Sequence, residues 1–168
     1  MSILRFESRT PRNLQGMYNY IIDDRKTSPD LIFGLGVNPM DAVTEMKLVH
    51  RIYGRYNLTH EYKQIIFSFD EGIKIDKDVL LEVCVRIGYA LMLDERQVLG
   101  AIHGMGTSRI HCHYLINYVG VDGSLLRQKF SVIFYKRRIN EILSEYGLTP
   151  IHFGAGNKKP EHLKNASA

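Results

Sequence analysis

The amino-acid sequence predicts an α+β fold, in which a central antiparallel sheet of about five strands carries helices mainly on one face. Segments whose apolar side chains alternate with a period of two slightly outnumber segments with helical spacing. Two of the strand-like segments follow each other across a short glycine-containing turn, which is typical of an antiparallel hairpin. Hydrophobic residues make up 45% of the chain and charged residues 24%, which favours an ordinary globular domain with a packed core.

The length, the charge and the cysteine content limit the class of protein. We expect one domain over residues 1–154 of the 168, followed by a polar, flexible tail over residues 155–168. The net charge of +4 allows nucleic-acid binding but does not require it. Cys84 and Cys112 are too few for a disulfide framework, so reduced thiols and a cytoplasmic location are expected. Because no apolar run approaches about 18 residues and no signal-peptide pattern follows Met1, we expect no membrane span and no export by the general route.

The first half of the chain predicts a strand, a helix, a strand, a helix and a strand. Residues 2–8 alternate weakly, and residues 12–22 have helical spacing. Residues 31–37 are strand-like with two glycines, a helix follows over residues 40–55, and residues 61–69 alternate as a strand. The expected core positions of the second helix are Val43, Met46, Val49, Ile52 and Tyr53. In the third strand, Ile65, Phe67 and Phe69 face one side, and Gln64, Ile66 and Ser68 face the other.

The helix over residues 12–22 contains two tyrosines with different expected environments. At about 100° per residue, Tyr18 falls within an apolar stripe that includes Leu14 and Ile21. Tyr20 falls outside this stripe, on the polar side of the helix. We therefore expect Tyr18 to pack in the core and Tyr20 to point outward, either as ordinary amphipathic surface or as part of a site.

The second half of the chain predicts a helix, a hairpin of two strands and a last helix. Asp76 is a suitable N-cap for the first of these helices, and Gly147 is a natural stop for the last. The expected bounds are residues 76–93 for the helix, 97–103 and 111–117 for the strands, and 124 or 127 to 146 for the last helix. Expected buried positions of the last helix are Phe130, Ile133, Phe134, Ile142 and Leu143.

Three of the seven histidines, His103, His111 and His113, lie within eleven residues on the hairpin. Strand alternation places His111 and His113 on one face, with Asn117 further along it and Cys112 on the opposite face. If the two strands pair across the turn, His103 comes level with the other two histidines. Three converging neutral imidazoles leave coordination positions open, as in a catalytic metal site, and we expect them on the face opposite the helices. The alternative is that these are surface or hydrogen-bonded core histidines, because His-x-His alone is a weak signal.

This region resembles a known protein family. His103, the His-Cys-His segment at 111–113 and Asn117 are followed by Val-Asp-Gly at 121–123 and Leu-Leu-Arg at 125–127. This order is similar to the His-hydrophobe-His region of conjugative relaxases, the mobilisation nucleases of plasmids and integrative elements. The resemblance extends over roughly residues 12–148 of the chain.

Other segments of the chain support the resemblance in the expected order. Asn19-Tyr20-Ile21, with Lys26 and Thr27 just downstream, resembles the first relaxase motif, in which a tyrosine attacks DNA. The segment 33–38 resembles the stretch that follows this motif, and the segment 67–69 resembles the central strand of the family. The match falls on Tyr20, the tyrosine that helical spacing places outside the apolar stripe.

The resemblance implies a relaxase-like fold, a reaction, a cofactor and partners. Tyr20 is the implied catalytic residue, and it would form a 5′-phosphotyrosyl link at a site- and strand-specific nick. His103, His111 and His113 match the metal ligands of the family. Mg or Mn is the divalent ion implied by the family, whereas imidazole ligands also favour Zn, Ni or Co. The implied partners are the single-stranded DNA of a transfer origin, accessory DNA-binding proteins and a coupling protein.

Basic residues are candidates for contact with the DNA backbone. We expect Lys26, Arg127, Lys136, Arg137 and Arg138 to bind DNA, since cationic side chains neutralise phosphates. The alternative for the cluster on the last helix is an ordinary solvated face.

The sequence departs from the family pattern at two positions. Met105 stands where relaxases often have an aspartate two residues after the first metal histidine, and Gln64 stands where a histidine is often found. These changes leave open which group accepts the tyrosine proton. Asp70 or Glu71, at the end of the third predicted strand, could take this role.

Three alternative functions remain open from the sequence. Rolling-circle replication initiators and single-strand transposases share the histidine pair, but their tyrosine usually follows the histidines, whereas Tyr20 precedes them. A non-cleaving DNA-binding accessory protein with a relaxase fold would account for Met105. A small metalloprotein with a structural Zn would unfold when its metal is removed.

Overall fold

Five strands form one antiparallel sheet in the computed structural model, which describes residues 1–7, 13–92, 95–127 and 131–153. Across the sheet the strands follow the order β1-β3-β5-β4-β2, so β5 lies in the centre. The predicted α+β class and the five-stranded antiparallel sheet are confirmed. The strands are β1 (Ile3–Phe6), β2 (Ile32–Leu35), β3 (Tyr62–Ser68), β4 (Val98–His103) and β5 (His111–Asn117).

Four α-helices accompany the sheet, and short 3-10 helices at Pro29–Leu31 and Pro39–Asp41 precede β2 and the second helix. The helices are α1 (Leu14–Ile21), α2 (Ala42–Ile52), α3 (Lys77–Leu91) and α4 (Val132–Glu145). None of the described helices is long and apolar enough to cross a membrane.

Side chains cap three of these helices by accepting backbone N–H groups that have no partner within the helix. Asn13 caps α1, with its side-chain oxygen 2.8 Å from the nitrogen of Gly16. Asp76 caps α3 and Ser131 caps α4. The predictions of Asp76 as a cap and of Gly147 as the stop of the last helix are confirmed, since Gly147 follows α4 with a φ of +63°.

The last helix begins later than predicted, at Val132 rather than at residue 124 or 127. Val119 instead forms an isolated antiparallel bridge with Leu125, which closes a turn. The buried guanidinium of Arg96 donates to the carbonyl oxygens of Tyr118 and Ser124, at 2.8 and 3.2 Å. These contacts hold residues 118–124 in a turn, so the helix begins only beyond it.

The helices pack on both faces of the sheet, so the prediction that they lie mainly on one face, opposite the histidines, is wrong. The α3 and α4 helices cover the face that carries Cys112 and Tyr114. The α1 and α2 helices cover part of the opposite face, over Leu99, Ala101 and Leu115, and the histidines share this second face. The reason lies in β4 and β5, in which the residues of both alternating sets are largely buried, so both faces of these strands are covered.

Some predicted core positions are exposed. Ile52 and Tyr53 are 65% and 41% exposed because α2 ends there, and Ile133 is 50% exposed in the first turn of α4. Arg12, Phe130 and the predicted tail over residues 155–168 lie outside the described residues. The opposite facings of residues 64–69 in β3 are confirmed, since Ile65, Phe67 and Phe69 join the core under α3.

Candidate active site and metal centre

The three predicted histidines come together at one end of the central hairpin. His103 in β4 pairs in register with His111 in β5, and His113 follows two residues later on the same face. The ring centroids lie 5.4 Å apart for His103 and His111, 4.5 Å for His103 and His113, and 5.1 Å for His111 and His113. One nitrogen from each ring lies within 4.8 Å of the others, a spacing at which the three can hold one metal ion.

Backbone carbonyl groups orient two of the three rings. Nε2 of His103 donates to the carbonyl oxygen of Ile21 at 2.7 Å, and Nδ1 of His111 donates to that of Arg109 at 3.1 Å. Each bond fixes the proton on one ring nitrogen and leaves a lone pair on the other. Metal-binding histidines are commonly held in this way, so the remaining nitrogens, Nδ1 of His103 and Nε2 of His111, are suited to an ion.

His113 has a buried ring nitrogen that is available to bind a metal ion. Among the described residues, no group hydrogen-bonds its Nε2 atom. Its Nδ1 atom lies 2.9 Å from the side-chain amide nitrogen of Gln64. Because the two ends of an amide have nearly the same shape, exchanging them lets the Gln64 oxygen accept a hydrogen bond from Nδ1–H and leaves Nε2 for an ion. A buried polar atom without a partner costs roughly 1–3 kcal/mol, which a bound cation at this nitrogen offsets.

The surroundings keep two of the imidazoles neutral. Burial lowers the pKa of His113 to about 3, and the neighbouring His103 and His111 and the cations Lys26 and Arg5 act in the same direction. Burial also lowers the pKa of His103, partly opposed by its bond to the carbonyl of Ile21. The neutral form is the one that binds a metal, so the donor set fits a divalent ion with affinity for nitrogen.

The two tyrosines of α1 have the different environments that helical spacing predicts. Tyr18 is buried, and its hydroxyl donates to the carbonyl oxygens of Pro39 and Met40 at 3.1 and 3.3 Å. Burial, helped by the charge of Asp41, raises the pKa of Tyr18. Tyr20 is half-buried at the end of α1, with its ring centroid 6.4 Å from that of His103 and 5.9 Å from that of His113. The structure therefore brings Tyr20, and not Tyr18, to the histidines.

Lys26 lies directly beside Tyr20. Its Nζ atom is 3.4 Å from the centroid of the Tyr20 ring, donates to the Tyr20 carbonyl oxygen at 3.5 Å and lies 3.9 Å from a carboxylate oxygen of Asp23. A cation over an aromatic face is attracted by the ring, which favours this placement. Of the predicted DNA-binding residues, Lys26 is the one that the structure brings to the histidines.

The other predicted DNA-binding residues lie elsewhere on the molecule. Lys136, Arg137 and Arg138 lie on α4, on the opposite side of the sheet from the histidines, where Lys136 donates to the carbonyl oxygen of His152 at 3.1 Å. Arg127 is exposed and follows β5, whose end is remote from His111. Their role in binding DNA stays a prediction.

Two further residues that the sequence singled out have structural roles. Asn117 shares the histidine face but lies under α2, where its side chain bonds His50 at 2.6 Å and Gln97 at 2.9 Å. Gln64, the departure from the family pattern, supports the ring of His113 directly. Met105, the other departure, is exposed in the turn between β4 and β5.

An open cleft of about 590 Å³ lies beside the histidines, over the half of the sheet that α1 and α2 leave uncovered. Asp70 and Glu71 line this cleft, as does Tyr20. Asp70 accepts from the Thr149 hydroxyl at 3.2 Å and contacts the amino group of Met1, and a carboxylate oxygen of Glu71 lies 3.8 Å from Nε of Arg109. The other lining residues include Ile3, Arg5, Ile66, Ser68, Ser108, Arg109, Ile110, His111 and His113.

Sequence reasoning missed Arg5, Ser68 and Arg109 as residues of this cleft. The alternation of β1 and β3 shows which of their side chains share a face, but only the pairing of β3 with β5 shows that this face carries the histidines. A signal was available for Arg109, which stands two residues before His111 and so continues the alternation of β5.

Comparisons with known proteins agree with this fold. The relaxase family profile described as MobA/VirD2-like, nuclease domain, matches residues 20–148. One similar solved structure comes from work on the molecular basis of vancomycin resistance transfer in Staphylococcus aureus. It has a TM-score of 0.52 and 14% sequence identity, with 74% of this chain and 75% of that chain covered. A search among curated proteins gave no match.

A single antiparallel sheet with a histidine triad next to a tyrosine defines a protein of the His-hydrophobe-His class, as the sequence predicts. The family match spans Tyr20 and all three histidines. The chain belongs to the relaxase family, in its MobA/VirD2-like nuclease branch.

Proposed function

We propose that this relaxase nicks single-stranded DNA at a transfer origin by transesterification, with Tyr20 as the nucleophile, during mobilisation of a plasmid or an integrative element. The observation that carries the proposal is the position of Tyr20, whose ring lies edge-on to His113 at 5.9 Å between centroids. A nucleophile must lie near the groups that bind the scissile phosphate, and Tyr20 fulfils this condition.

The proposed reaction exchanges one phosphodiester for another. The Tyr20 oxygen attacks phosphorus, the bond from phosphorus to the 3′ oxygen breaks, and a 5′-phosphotyrosyl link and a free 3′-hydroxyl result. The phenolic proton leaves Tyr20, and the departing 3′ oxygen gains a proton. Asp70 and Glu71 are the proposed acceptors, because they line the same cleft as Tyr20. The covalent link conserves the energy of the broken bond, so the strand can be rejoined.

His103, His111 and His113 would hold a divalent cation, which we propose to be Mg or Mn in use, with Zn, Ni and Co as alternatives. When bound, such an ion polarises phosphate oxygens and stabilises the negative charge that develops on them. The carbonyls of Ile21 and Arg109 and the amide of Gln64 hold the three rings in orientation. Lys26 adds positive charge beside Tyr20, where the phosphate must lie.

The proposed partner is single-stranded DNA, because the relaxase family to which the chain belongs implies a single-stranded substrate. Accessory DNA-binding proteins and a coupling protein are further proposed partners, as in conjugative systems that the family serves. The family match supports the proposal of single-stranded DNA as a partner.

A nicking assay tests the proposed activity. A supercoiled plasmid that carries the origin region found beside the gene is incubated with the protein and Mn or Mg. We expect relaxed circles with the wild type and with Tyr89→Phe, a change at an exposed tyrosine on α3, and no relaxed circles with Tyr20→Phe. Nicking by Tyr20→Phe at the wild-type rate would contradict the proposal.

One observation favours a second candidate. Met105 and Gln64 replace residues that relaxases often have, and a non-cleaving DNA-binding accessory protein would tolerate both changes. Specific binding of the origin strand with no nicking in Mn or Mg would favour this candidate.

A further inference from the structure

Arg5 occupies a special position among the charged residues of the sheet. The five strands contain two cationic side chains, Arg5 in β1 and Lys63 in β3. Lys63 pairs in register with Ile116, a core residue under α3, so it lies on the face opposite the histidines. Arg5 is therefore the one cationic side chain of the strands on the histidine face.

The strand register aligns Arg5 with the metal centre. Arg5 pairs with Ile66, and Ile66 pairs with His113, so these three residues form one row across β1, β3 and β5. Side chains that pair across strands project from the same face. Since neighbouring strands are about 4.8 Å apart, the backbone of Arg5 lies roughly 10 Å from that of His113, a distance that an arginine side chain and a phosphate group can span.

The next row along the sheet forms the rest of the cleft floor. Ile3, Ser68, His111 and His103 are aligned in register across β1, β3, β5 and β4. Ile3 is 44% exposed, although it lies on a sheet face, because α1 and α2 cover only the half of the face near β4. The cleft therefore opens toward the β1 edge of the sheet. Arg5 lines the cleft on that side, and Tyr20 lines it near the histidines.

The present partner of Arg5 is easily exchanged. Its Nε atom lies 3.8 Å from a carboxylate oxygen of Glu7, and both side chains are accessible to solvent. Loose ion pairs at the surface contribute little to the free energy of folding, whereas a guanidinium can hold two phosphate oxygens at once. A phosphate in the cleft can thus replace Glu7 as the partner of Arg5.

We propose that Arg5 binds a backbone phosphate adjacent to the scissile one and so directs the single strand across β1 and β3 to Tyr20 and the histidines. The inference rests on the proposed function for the identity of the ligand, a single-stranded DNA backbone. It adds a phosphate-binding residue on the sheet itself, whereas the predicted cluster on α4 lies on the other side.

Binding measurements in the Tyr20→Phe background test this role without cleavage. Fluorescence anisotropy with a labelled single-stranded origin oligonucleotide gives affinity at several salt concentrations. We expect Arg5→Gln to weaken binding about tenfold and to reduce the slope of log affinity against log salt by about 0.7, the value for one phosphate contact on a single strand. Arg5→Lys should restore the slope but only part of the affinity, because it cannot bind in the bidentate mode.

The matched control is Arg55→Gln, which removes the same charge from an exposed loop residue before β3, at the far end of that strand from Ser68. Its affinity and salt slope should equal those of the parent. Equal losses of affinity in Arg5→Gln and Arg55→Gln would overturn the proposal, since the affinity would then depend only on the net charge of the protein. The melting temperature of each variant shows whether β1 remains intact, and Arg5→Lys keeps the test valid if Arg5→Gln is unstable.

Neutral phosphate substitution locates the contact. Methylphosphonate is introduced at one phosphate at a time, and the affinity loss is compared between Arg5 and Arg5→Gln proteins. The proposal predicts one position, within about two nucleotides of the nick, where methylphosphonate weakens binding by the protein with Arg5 but not by Arg5→Gln. Additive losses at every position would overturn it. Nicking by the wild-type protein is measured separately. If one phosphate position depends on Arg5 but no nicking is seen, the Arg5 contact is supported and the proposed nicking activity is contradicted.

Discussion

At the scale of single residues, the burial of His113 links the candidate metal centre to the stability of the fold. Its pKa is about 3 in the folded chain and near 6.5 in an unfolded one, so the unfolded state takes up the proton first as the pH falls. The free energy of unfolding of the metal-free chain should therefore decrease from about pH 6.5 downward. The share from this group is at most about 1.4 kcal/mol per pH unit.

Urea unfolding in the presence of a chelator, at several pH values between 5 and 7, measures this dependence. His113→Gln should have a flatter pH profile than the wild type, because the variant has no imidazole at this position. His152→Gln, a change at an exposed histidine, is the control and should keep the wild-type profile. Parallel profiles for the wild type and His113→Gln would contradict the burial argument.

Gln64 supports His113 and should therefore affect the metal. Replacing it with leucine keeps a buried side chain of similar size but removes the hydrogen-bond partner of Nδ1. We expect Gln64→Leu to reduce the affinity for Mn or Zn by about tenfold to a hundredfold in titration calorimetry, as for other partners of metal-binding histidines. Gln97→Leu, a change in the separate network around Asn117, is the comparison for the loss of a buried amide. An unchanged affinity in Gln64→Leu would show that the ring needs no such support.

Residue-scale predictions from the sequence succeeded where the local period was decisive. Helical spacing separated Tyr18 from Tyr20, and strand alternation separated Cys112 from its two neighbouring histidines, because both depend only on backbone geometry. The role of Gln64 was not predicted, because its contact with His113 depends on which strand lies beside β5.

At the scale of elements, Arg96 fixes the segment between β5 and α4. Arg96 is 1% exposed, and its guanidinium donates to the carbonyl oxygen of Tyr118 and to both the carbonyl and the hydroxyl oxygen of Ser124. Arg96→Met should remove three hydrogen bonds from a charged donor at a buried position and reduce the free energy of unfolding by about 2–4 kcal/mol in urea titration. Arg86→Met, which breaks a pair with Glu145 at the surface, should have a much smaller effect. Equal losses in the two variants would contradict the role of Arg96.

The same segment shows where element predictions fail. Residues 124–131 have helical composition, yet Arg96 and the bridge between Val119 and Leu125 hold the start of this stretch in a turn. A contact between residues 28 positions apart cannot be predicted from a local sequence pattern. The strand bounds were predicted more closely, since alternation ends where the turn residues begin.

At the scale of the whole molecule, the sheet order decides which residues meet. The central position of β5 brings β3 and β4 to its two sides, and with them Gln64, Ser68 and His103. The sequence indicated an antiparallel sheet and one hairpin, but not the order of the other strands. Helices on both faces and the cleft over β1 and β3 follow from that order, which explains why Arg5 was not predicted as a site residue.

The central claim, that Tyr20 is the nucleophile, is tested most directly by locating the covalent link to DNA. The protein is incubated with a single-stranded origin oligonucleotide and Mn or Mg, the adduct is isolated on a denaturing gel, and the modified peptide is identified by mass mapping. We predict an adduct on Tyr20 that is absent in Tyr20→Phe and present in Tyr89→Phe. An adduct on Tyr18 or on any other tyrosine, or none at all with an oligonucleotide that the protein binds, would contradict the claim.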